Sequence, residues 1–211
     1  MVVLLQLEDD IELPGLNQVA VATDMLYLVG GASRSGKTRI AKKILADKHI
    51  PYLSLDWLMM GFNDGMPESG IHHLLWPDEI ARKMGPFLQG MMDCMLVNDI
   101  DYVIEGEAML PHLVAGLIER RPEKVRAAFL GYTEIDVDDK VALVKRHGDG
   151  DRDWLTGQSD EYIRDHIGNM VGYSRMIKKE CERHGVPYFD TSLDFRGATE
   201  AAASFLVDDL S

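Results

Sequence analysis

The most constraining feature of this sequence is the stretch GGASRSGKT at residues 30–38, which follows an apolar run at residues 25–29. Its small, polar and charged residues offer little material for a packed core, so we expect the stretch to form a loop. Residues 38–48, which come next, carry apolar side chains at helical spacing. A buried strand, a glycine-rich loop and a helix in this order predict one unit of a parallel α/β sheet.

Residues 31–38 of this stretch match the phosphate-binding pattern G-x-x-x-x-G-K-[S/T] at every fixed position. In that pattern the glycines let backbone N–H groups turn toward phosphate oxygens. Lys37 neutralises the β- and γ-phosphates, and the hydroxyl of Thr38 ligates Mg²⁺. The following helix adds its positive N-terminal end. The sequence therefore predicts a nucleoside triphosphate site, with contacts from Gly31, Ala32, Ser33, Arg34, Ser35, Gly36, Lys37, Thr38 and Arg39.

Short apolar runs and helical patterns alternate along the rest of the chain. The apolar runs predict five strands, at residues 25–29, 51–55, 102–104, 125–130 and 187–190. Helical patterns cover residues 38–48, 78–96, 111–120, 136–146 and 160–183, with a last helix from about residue 198. Such alternation predicts the α/β class, with a five-stranded parallel sheet between helices on both faces, in a three-layer α/β/α arrangement.

The length of 211 residues suits a single domain, for which we expect three additions to the common core. Residues 1–24 form an N-terminal extension, in which residues 2–7 and 19–23 are compatible with a hairpin at an edge of the sheet. Residues 57–86 form a substrate-side insertion, irregular as far as residue 77 and then helical, with a kink or break at Gly85-Pro86. Residues 147–160 form a polar, glycine-containing lid.

The composition limits the partners and the compartment that we expect. The net charge is −13 and no run of Lys and Arg occurs, which argues against nucleic acid and anionic membrane as partners. The apolar start of the chain is too short for a signal peptide or a membrane span. Two cysteines without metal-ligand spacing fit a reducing compartment. We therefore expect a cytoplasmic protein, and the sequence leaves a homodimer open.

Two carboxylates should meet the phosphate loop, because ligands of parallel sheets bind at the carboxyl ends of the strands. Asp56 ends the second strand pattern and Glu105 ends the third. A carboxylate in the middle of a sheet is costly without a cation nearby, so we expect Glu105 to hold Mg²⁺ together with Thr38. The alternatives are a salt bridge from Glu105 to a local Lys or Arg, and a helix N-cap role for Asp56.

Motifs of other nucleotide-binding classes are missing from the sequence. A Ras-like GTPase needs D-x-x-G after its third strand and N-K-x-D later, and the one D-x-x-G here, at residues 194–197, comes too late. A motor ATPase would normally have an apolar strand that ends in an acidic pair, whereas the run at residues 102–105 is short and singly acidic. These differences favour a small kinase, which transfers the γ-phosphate to a bound acceptor.

GGASRSGKT, LSLDWL at residues 53–58 and VIEGEAMLP at residues 103–111 resemble the nucleoside-monophosphate-kinase-like small-molecule kinases. The patterns are similar to those of 2-phosphoglycerate kinase and chloramphenicol phosphotransferase, over roughly residues 25–192. The resemblance implies a P-loop NTPase fold, ATP and Mg²⁺ as cofactors, and transfer to a hydroxyl of a small-molecule acceptor. It also implies that Asp56 accepts the proton of that hydroxyl or orients it.

In such kinases a lid brings arginines onto the transferring phosphoryl group, and Arg152 is the first candidate. A solvated acidic loop is the alternative, because aspartates flank this arginine. The predicted catalytic residues are thus Lys37, Asp56 and Arg152. Two other functions remain open: a nucleotide or antibiotic kinase, and an ATP-binding switch that acts through a protein partner.

Overall fold

The computed structural model describes residues 24–98, 100–148 and 153–208, so the predicted N-terminal hairpin and Arg152 lie outside the described residues. The strands are β1 (Leu26–Gly31), β2 (Tyr52–Ser54), β3 (Tyr102–Gly106), β4 (Val125–Gly131) and β5 (Tyr188–Asp190). The helices are α1 (Lys37–Lys48), α2 (Leu55–Gly65), α3 (Pro77–Val97), α4 (Pro111–Arg120), α5 (Val137–His147), α6 (Asp160–His184) and α7 (Phe195–Val207). A short 3₁₀ helix, Pro67–Ser69, follows α2.

The five strands form one sheet in the order β2-β3-β1-β4-β5, and every pairing is parallel. The strand that precedes the phosphate loop therefore lies at the centre. In the register of the sheet, Glu105 lies opposite Val29 of β1 and opposite Ser54 of β2. The carboxyl ends of three neighbouring strands thus meet beside the phosphate loop, as the sequence predicts.

Alternate side chains of the central strand point to two separate apolar cores. Leu26 and Leu28 pack on one face of the sheet, in a core that includes residues of α3, α4 and α6. Tyr27 and Val29 pack on the other face, in a core that includes residues of α1 and α7. This alternation, with helices on both sides, confirms the predicted three-layer α/β/α fold with a five-stranded parallel sheet.

The segment between β2 and β3 differs from the expected irregular chain. Strand β2 ends at Ser54, and α2 occupies Leu55–Gly65 because Leu58, Met59 and Phe62 pack against the apolar core from one helical face. Helix α3 also continues without a break from Pro77 to Val97, although Pro86 lies inside it. The expectations of an irregular segment over 57–65 and of a break at Gly85-Pro86 were wrong.

The later helices have boundaries close to those predicted, and their ends are capped by side chains. Asp136 caps α5 by accepting the N–H groups of Asp138 and Asp139, and Ser159 caps α6. Helix α7 begins at Phe195 with Asp194 as its cap, three residues earlier than expected. None of the helices in the described ranges combines enough length with enough apolar character to span a lipid bilayer.

Candidate active site

The phosphate loop takes a conformation that depends on its two fixed glycines. Gly31 has φ 125° and Gly36 has φ 106°, both in the region that favours glycine. A Cβ atom on Gly31 would lie 1.8 Å from the carbonyl oxygen of Leu130, and one on Gly36 would lie 2.6 Å from Cγ2 of Thr199. The loop is therefore packed closely against β4 and α7, and side chains at these positions would displace it.

Lys37 points its ammonium group into the loop. The side chain is only 7% exposed, and Nζ donates a 2.8 Å hydrogen bond to the carbonyl oxygen of Ala32. The same Nζ lies 3.8 Å from Oε1 of Glu107. A buried cation inside a ring of backbone groups is suited to bind phosphate oxygens, as the motif predicts.

Thr38 and Glu105 meet at the end of β3. The Thr38 hydroxyl donates to Oε1 of Glu105 at 3.1 Å, and Glu105 is 1% exposed. Burial raises the pKa of Glu105, while the Lys37 charge and hydrogen bonds from Ser54 and Thr38 act in the opposite direction. A buried carboxylate beside a hydroxyl is an oxygen donor set that suits Mg²⁺, which normally takes one or two carboxylates together with substrate phosphates.

Asp56 lies in the first turn of α2, next to this pair. It is exposed, and the N-cap position of the helix belongs to Ser54, so the N-cap alternative for Asp56 was wrong. Burial is the main cause that raises the pKa of Glu105 and of Glu107, and the nearby Asp56 charge also raises both. Asp56 is thus a solvent-exposed carboxylate whose charge acts on both of these glutamates.

Glu107 is a second glutamate near the Lys37 ammonium group, and it was not among the predicted site residues. Burial raises the pKa of Glu107, and the nearby Lys37 ammonium lowers it. Its backbone carbonyl accepts a 3.1 Å hydrogen bond from the hydroxyl of Tyr173 on α6. In the VIEGE pattern this second carboxylate comes two residues after Glu105, in the loop that follows β3.

Arg34 connects the phosphate loop to the end of the lid segment. Its guanidinium group forms a two-pronged ion pair with Asp153, with an NH1–Oδ2 distance of 2.7 Å. The Asp153 side chain is 3% exposed and also accepts the backbone N–H groups of Leu155 and Thr156. The solvated-loop alternative is therefore wrong for Asp153, which is a buried partner of the phosphate loop.

Two other arginines were predicted for the site, Arg152 and Arg39, and Arg164 is a third arginine, on α6. Arg152 lies outside the described residues, so its place on the phosphoryl group stays a prediction. Arg164 pairs with Asp138 in an exposed ion pair, as an ordinary surface arginine would. Arg39 is exposed on α1, in a surface groove that Lys43 and Glu200 also line.

Ser35 provides an independent sign that the loop is built for a ligand. It is fully buried, and its Oγ has no hydrogen-bond partner among the residues that the structure describes. A buried hydroxyl without a partner is costly, and phosphate oxygens would satisfy it. Together with the buried Lys37 ammonium and the Thr38–Glu105 pair, this atom fits a nucleoside triphosphate with Mg²⁺.

The end of β5 forms a polar cluster with the segment that follows β4. Asp190 accepts hydrogen bonds from the hydroxyls of Thr133 and Ser192. Burial alone would raise the pKa of Asp190, but the hydrogen bonds from Ser192 and Thr133 lower it overall. The cluster fixes the backbone of residues 190–192 at the carboxyl end of β5.

An apolar cavity of about 230 Å³ lies between α3, α4 and the end of β3. Leu55 and Ile104 line it, together with Met109 of the loop that follows Glu107. Gly85 of α3 and Gly116 of α4 also line it. The cavity therefore borders the residues immediately next to Asp56 and Glu105.

The five-stranded parallel sheet and the phosphate loop at residues 31–38 together identify the P-loop NTPase fold. No protein-family model matches the sequence, and no curated protein is similar enough in sequence to be matched. Among solved structures, the chain is similar to a gluconokinase from Sinorhizobium meliloti, with 16% identity and a TM-score of 0.53, covering 89% of this chain and 96% of that one.

Two further solved structures are similar over most of their length. A shikimate kinase from Bacteroides thetaiotaomicron matches with 16% identity and a TM-score of 0.50, covering 88% of this chain and 98% of that one. A sugar kinase from Janibacter matches with 16% identity and a TM-score of 0.51, covering 86% and 94%. These similarities confirm the fold of the chain.

Proposed function

We propose that this chain is an ATP- and Mg²⁺-dependent phosphotransferase that moves the γ-phosphate to a hydroxyl of a small molecule. The observation that carries the proposal is the meeting of Lys37, the Thr38–Glu105 pair and Asp56 at one edge of the sheet. A phosphate loop alone requires the first two of these features. A carboxylate presented at the open side is what a transfer to an acceptor needs in addition.

In the proposed reaction, the phosphates of ATP lie in the loop of residues 31–38, with Lys37 on the β- and γ-phosphates. Thr38 and Glu105 would hold Mg²⁺, which when bound neutralises the charge that develops on the phosphate oxygens. The acceptor oxygen forms a bond to the γ-phosphorus while the bond to the bridging oxygen of ADP breaks. Asp56 takes the proton that the hydroxyl releases.

The similar structures support a small-molecule acceptor. They are a shikimate kinase, a gluconokinase and a sugar kinase, each a kinase of a small hydroxylated molecule. The proposal carries this substrate class over to the present chain. The lid arginine, Arg152, belongs to the proposal as the residue that would reach the transferring group.

The apolar cavity beside Leu55 favours a second candidate within the same chemistry. Leu55, the sequence neighbour of Asp56, lines this cavity together with other apolar side chains. An acceptor with an apolar part, such as an antibiotic that carries a hydroxyl, would fit this lining better than a fully polar sugar acid.

The decisive experiment is a screen for acceptor-dependent release of ADP from MgATP. The acceptor set should contain sugar acids, polyols and hydroxylated compounds that carry an apolar ring. Lys37→Ala should abolish ATP-dependent activity, and Asp56→Asn should reduce turnover while the Kd for ATP stays nearly unchanged. If no acceptor raises ADP release and a protein partner stimulates hydrolysis instead, the chain is an ATP-binding switch and the kinase proposal is wrong.

A further inference from the structure

Lys140 is a buried lysine that the phosphate motif does not explain. It lies on α5 and is only 5% exposed. Its Nζ donates a hydrogen bond to the carbonyl oxygen of Arg34 at 3.1 Å, and lies 4.1 Å from the centroid of the Tyr132 ring. Among the residues that the structure describes, no carboxylate forms an ion pair with it. A lysine buried in this way is costly, so its contact with the loop needs an explanation other than packing.

Tyr132 makes the matching contact one residue earlier in the loop. Its hydroxyl donates a 2.8 Å hydrogen bond to the carbonyl oxygen of Ser33. The ring is fully buried, and the backbone N–H of Tyr132 donates to Oγ of Ser174 on α6. Two buried donors, fixed by the segment that follows β4 and by α5, therefore hold two consecutive carbonyl groups of the phosphate loop.

Holding these carbonyls also sets the direction of two N–H groups. In a trans peptide unit the C=O and N–H bonds point in opposite directions, so the N–H groups of Arg34 and Ser35 must face away from Tyr132 and Lys140. The N–H of Ser35 does face away from Lys140, because it donates a 3.3 Å hydrogen bond across the loop to the carbonyl of Ala32, which also accepts the Lys37 ammonium.

The backbone at this point needs such support. Arg34 has φ 61°, in a left-handed region that L-residues other than Asn and Asp seldom adopt. If either peptide unit turned over, a carbonyl oxygen instead of an N–H would face the bound anion. Phosphate binding by the loop therefore depends on groups that keep these two carbonyls on the outside.

We propose that Lys140 and Tyr132 are positioning residues that hold the Ser33 and Arg34 carbonyls outward, so that the loop presents N–H groups to a polyphosphate. The inference rests on the proposed nucleotide binding and extends it to residues about 100 positions away in the sequence. The inference predicts different effects on charged and on uncharged ligands. Losing either donor weakens the binding of phosphates, and leaves the binding of an uncharged nucleoside unchanged.

The test measures the affinities of three probes by titration calorimetry: ATP with Mg²⁺, inorganic tripolyphosphate and adenosine. Lys140→Met keeps the length of the side chain without a donor, and Tyr132→Phe keeps the ring without the hydroxyl. Each should weaken ATP and tripolyphosphate about tenfold, the effect of losing one hydrogen bond to a buried carbonyl, with adenosine unchanged. Lys145→Met, on the exposed part of the same helix, is the matched control and should leave all three affinities unchanged.

The outcomes separate this inference from the proposed function. If the wild-type protein binds neither ATP nor tripolyphosphate, the proposed function fails and the inference with it. If the wild-type protein binds both and the two variants bind them equally well, the inference alone is wrong. A loss of adenosine affinity equal to the loss for ATP also overturns it, because the residues would then act on the nucleoside. If Lys140→Met does not fold, Tyr132→Phe decides.

Discussion

The ion pair between Arg34 and Asp153 provides a sharp test of how the lid end is tied to the phosphate loop. Replacing Asp153 by Ala removes the bidentate ion pair with Arg34 and the acceptor of the Leu155 and Thr156 N–H groups. Breaking a fully buried pair costs about 3–5 kcal/mol. Because the Arg34 side chain is 28% exposed, water can solvate it in part, and we expect a loss of about 2–3 kcal/mol.

The assay is thermal and urea unfolding, followed by circular dichroism. A loss of about 2–3 kcal/mol should lower the Tm by about 4–12 °C in a chain of this size. Asp153→Asn keeps an acceptor for the N–H groups but loses the charge, so its effect should be intermediate. The matched control is Asp138→Ala, which breaks the exposed Arg164–Asp138 pair and should cost less than about 1 kcal/mol.

The pH dependence gives a second check on the same pair. Burial alone would raise the pKa of Asp153, but Arg34 and the two N–H groups lower it overall. The stabilisation should therefore be complete above the ordinary aspartate pKa of about 3.9, and should disappear as the pH falls through the lower folded-state value. Equal Tm losses for the alanine variants of Asp153 and Asp138 at neutral pH would refute the buried-pair argument.

Two further predictions concern buried groups elsewhere. Burial lowers the pKa of Lys140 from 10.5 to about 8, with a smaller contribution from Arg34. Between pH 8 and 10.5 the unfolded chain therefore binds more protons than the folded protein, so the stability of the wild type should rise with pH. Over this range its unfolding free energy should increase by about 2–3 kcal/mol relative to that of Lys140→Met. A flat difference in urea titrations would contradict this. Burial also raises the pKa of Cys181 to about 12, while Cys94 is exposed. Ellman's reagent should thus titrate one thiol in the native protein and two in urea, and two fast native thiols would show that Cys181 is accessible.

The sequence predicted the sheet and the phosphate loop well, because both depend on local signals. Helix α4 has the predicted bounds, since Pro111 suits a first helical position and the apolar spacing is regular. The prediction failed over residues 57–65, where Gly61 and Gly65 suggested loops. Among the described residues, no atom beyond the helix's own nearby backbone lies within 4 Å of a Cβ built on either glycine, so both face open space, while Leu58, Met59 and Phe62 pack α2 on the core.

The contacts that hold the phosphate loop from outside could not be predicted from the sequence, for a different reason. Asp153 contacts Arg34 across 119 positions, and Tyr132 contacts Ser33 across 99. No motif spacing encodes such pairs, because they form only when β4, α5 and the lid end fold around the loop. Asp56 and Glu105 could be predicted since strand ends in a parallel sheet always share one edge.

Helix α6 connects both halves of the candidate site through one rigid body. Its 25 residues span about 37 Å at 1.5 Å per residue. Tyr173 holds the carbonyl of Glu107, in the loop after β3. Ser174 holds the N–H of Tyr132, and Arg175 holds the carbonyl of Thr133, in the segment after β4. Three consecutive residues of one helix thus fix the loops on both sides of β1, so under the proposed function a tilt of α6 would move both loops together.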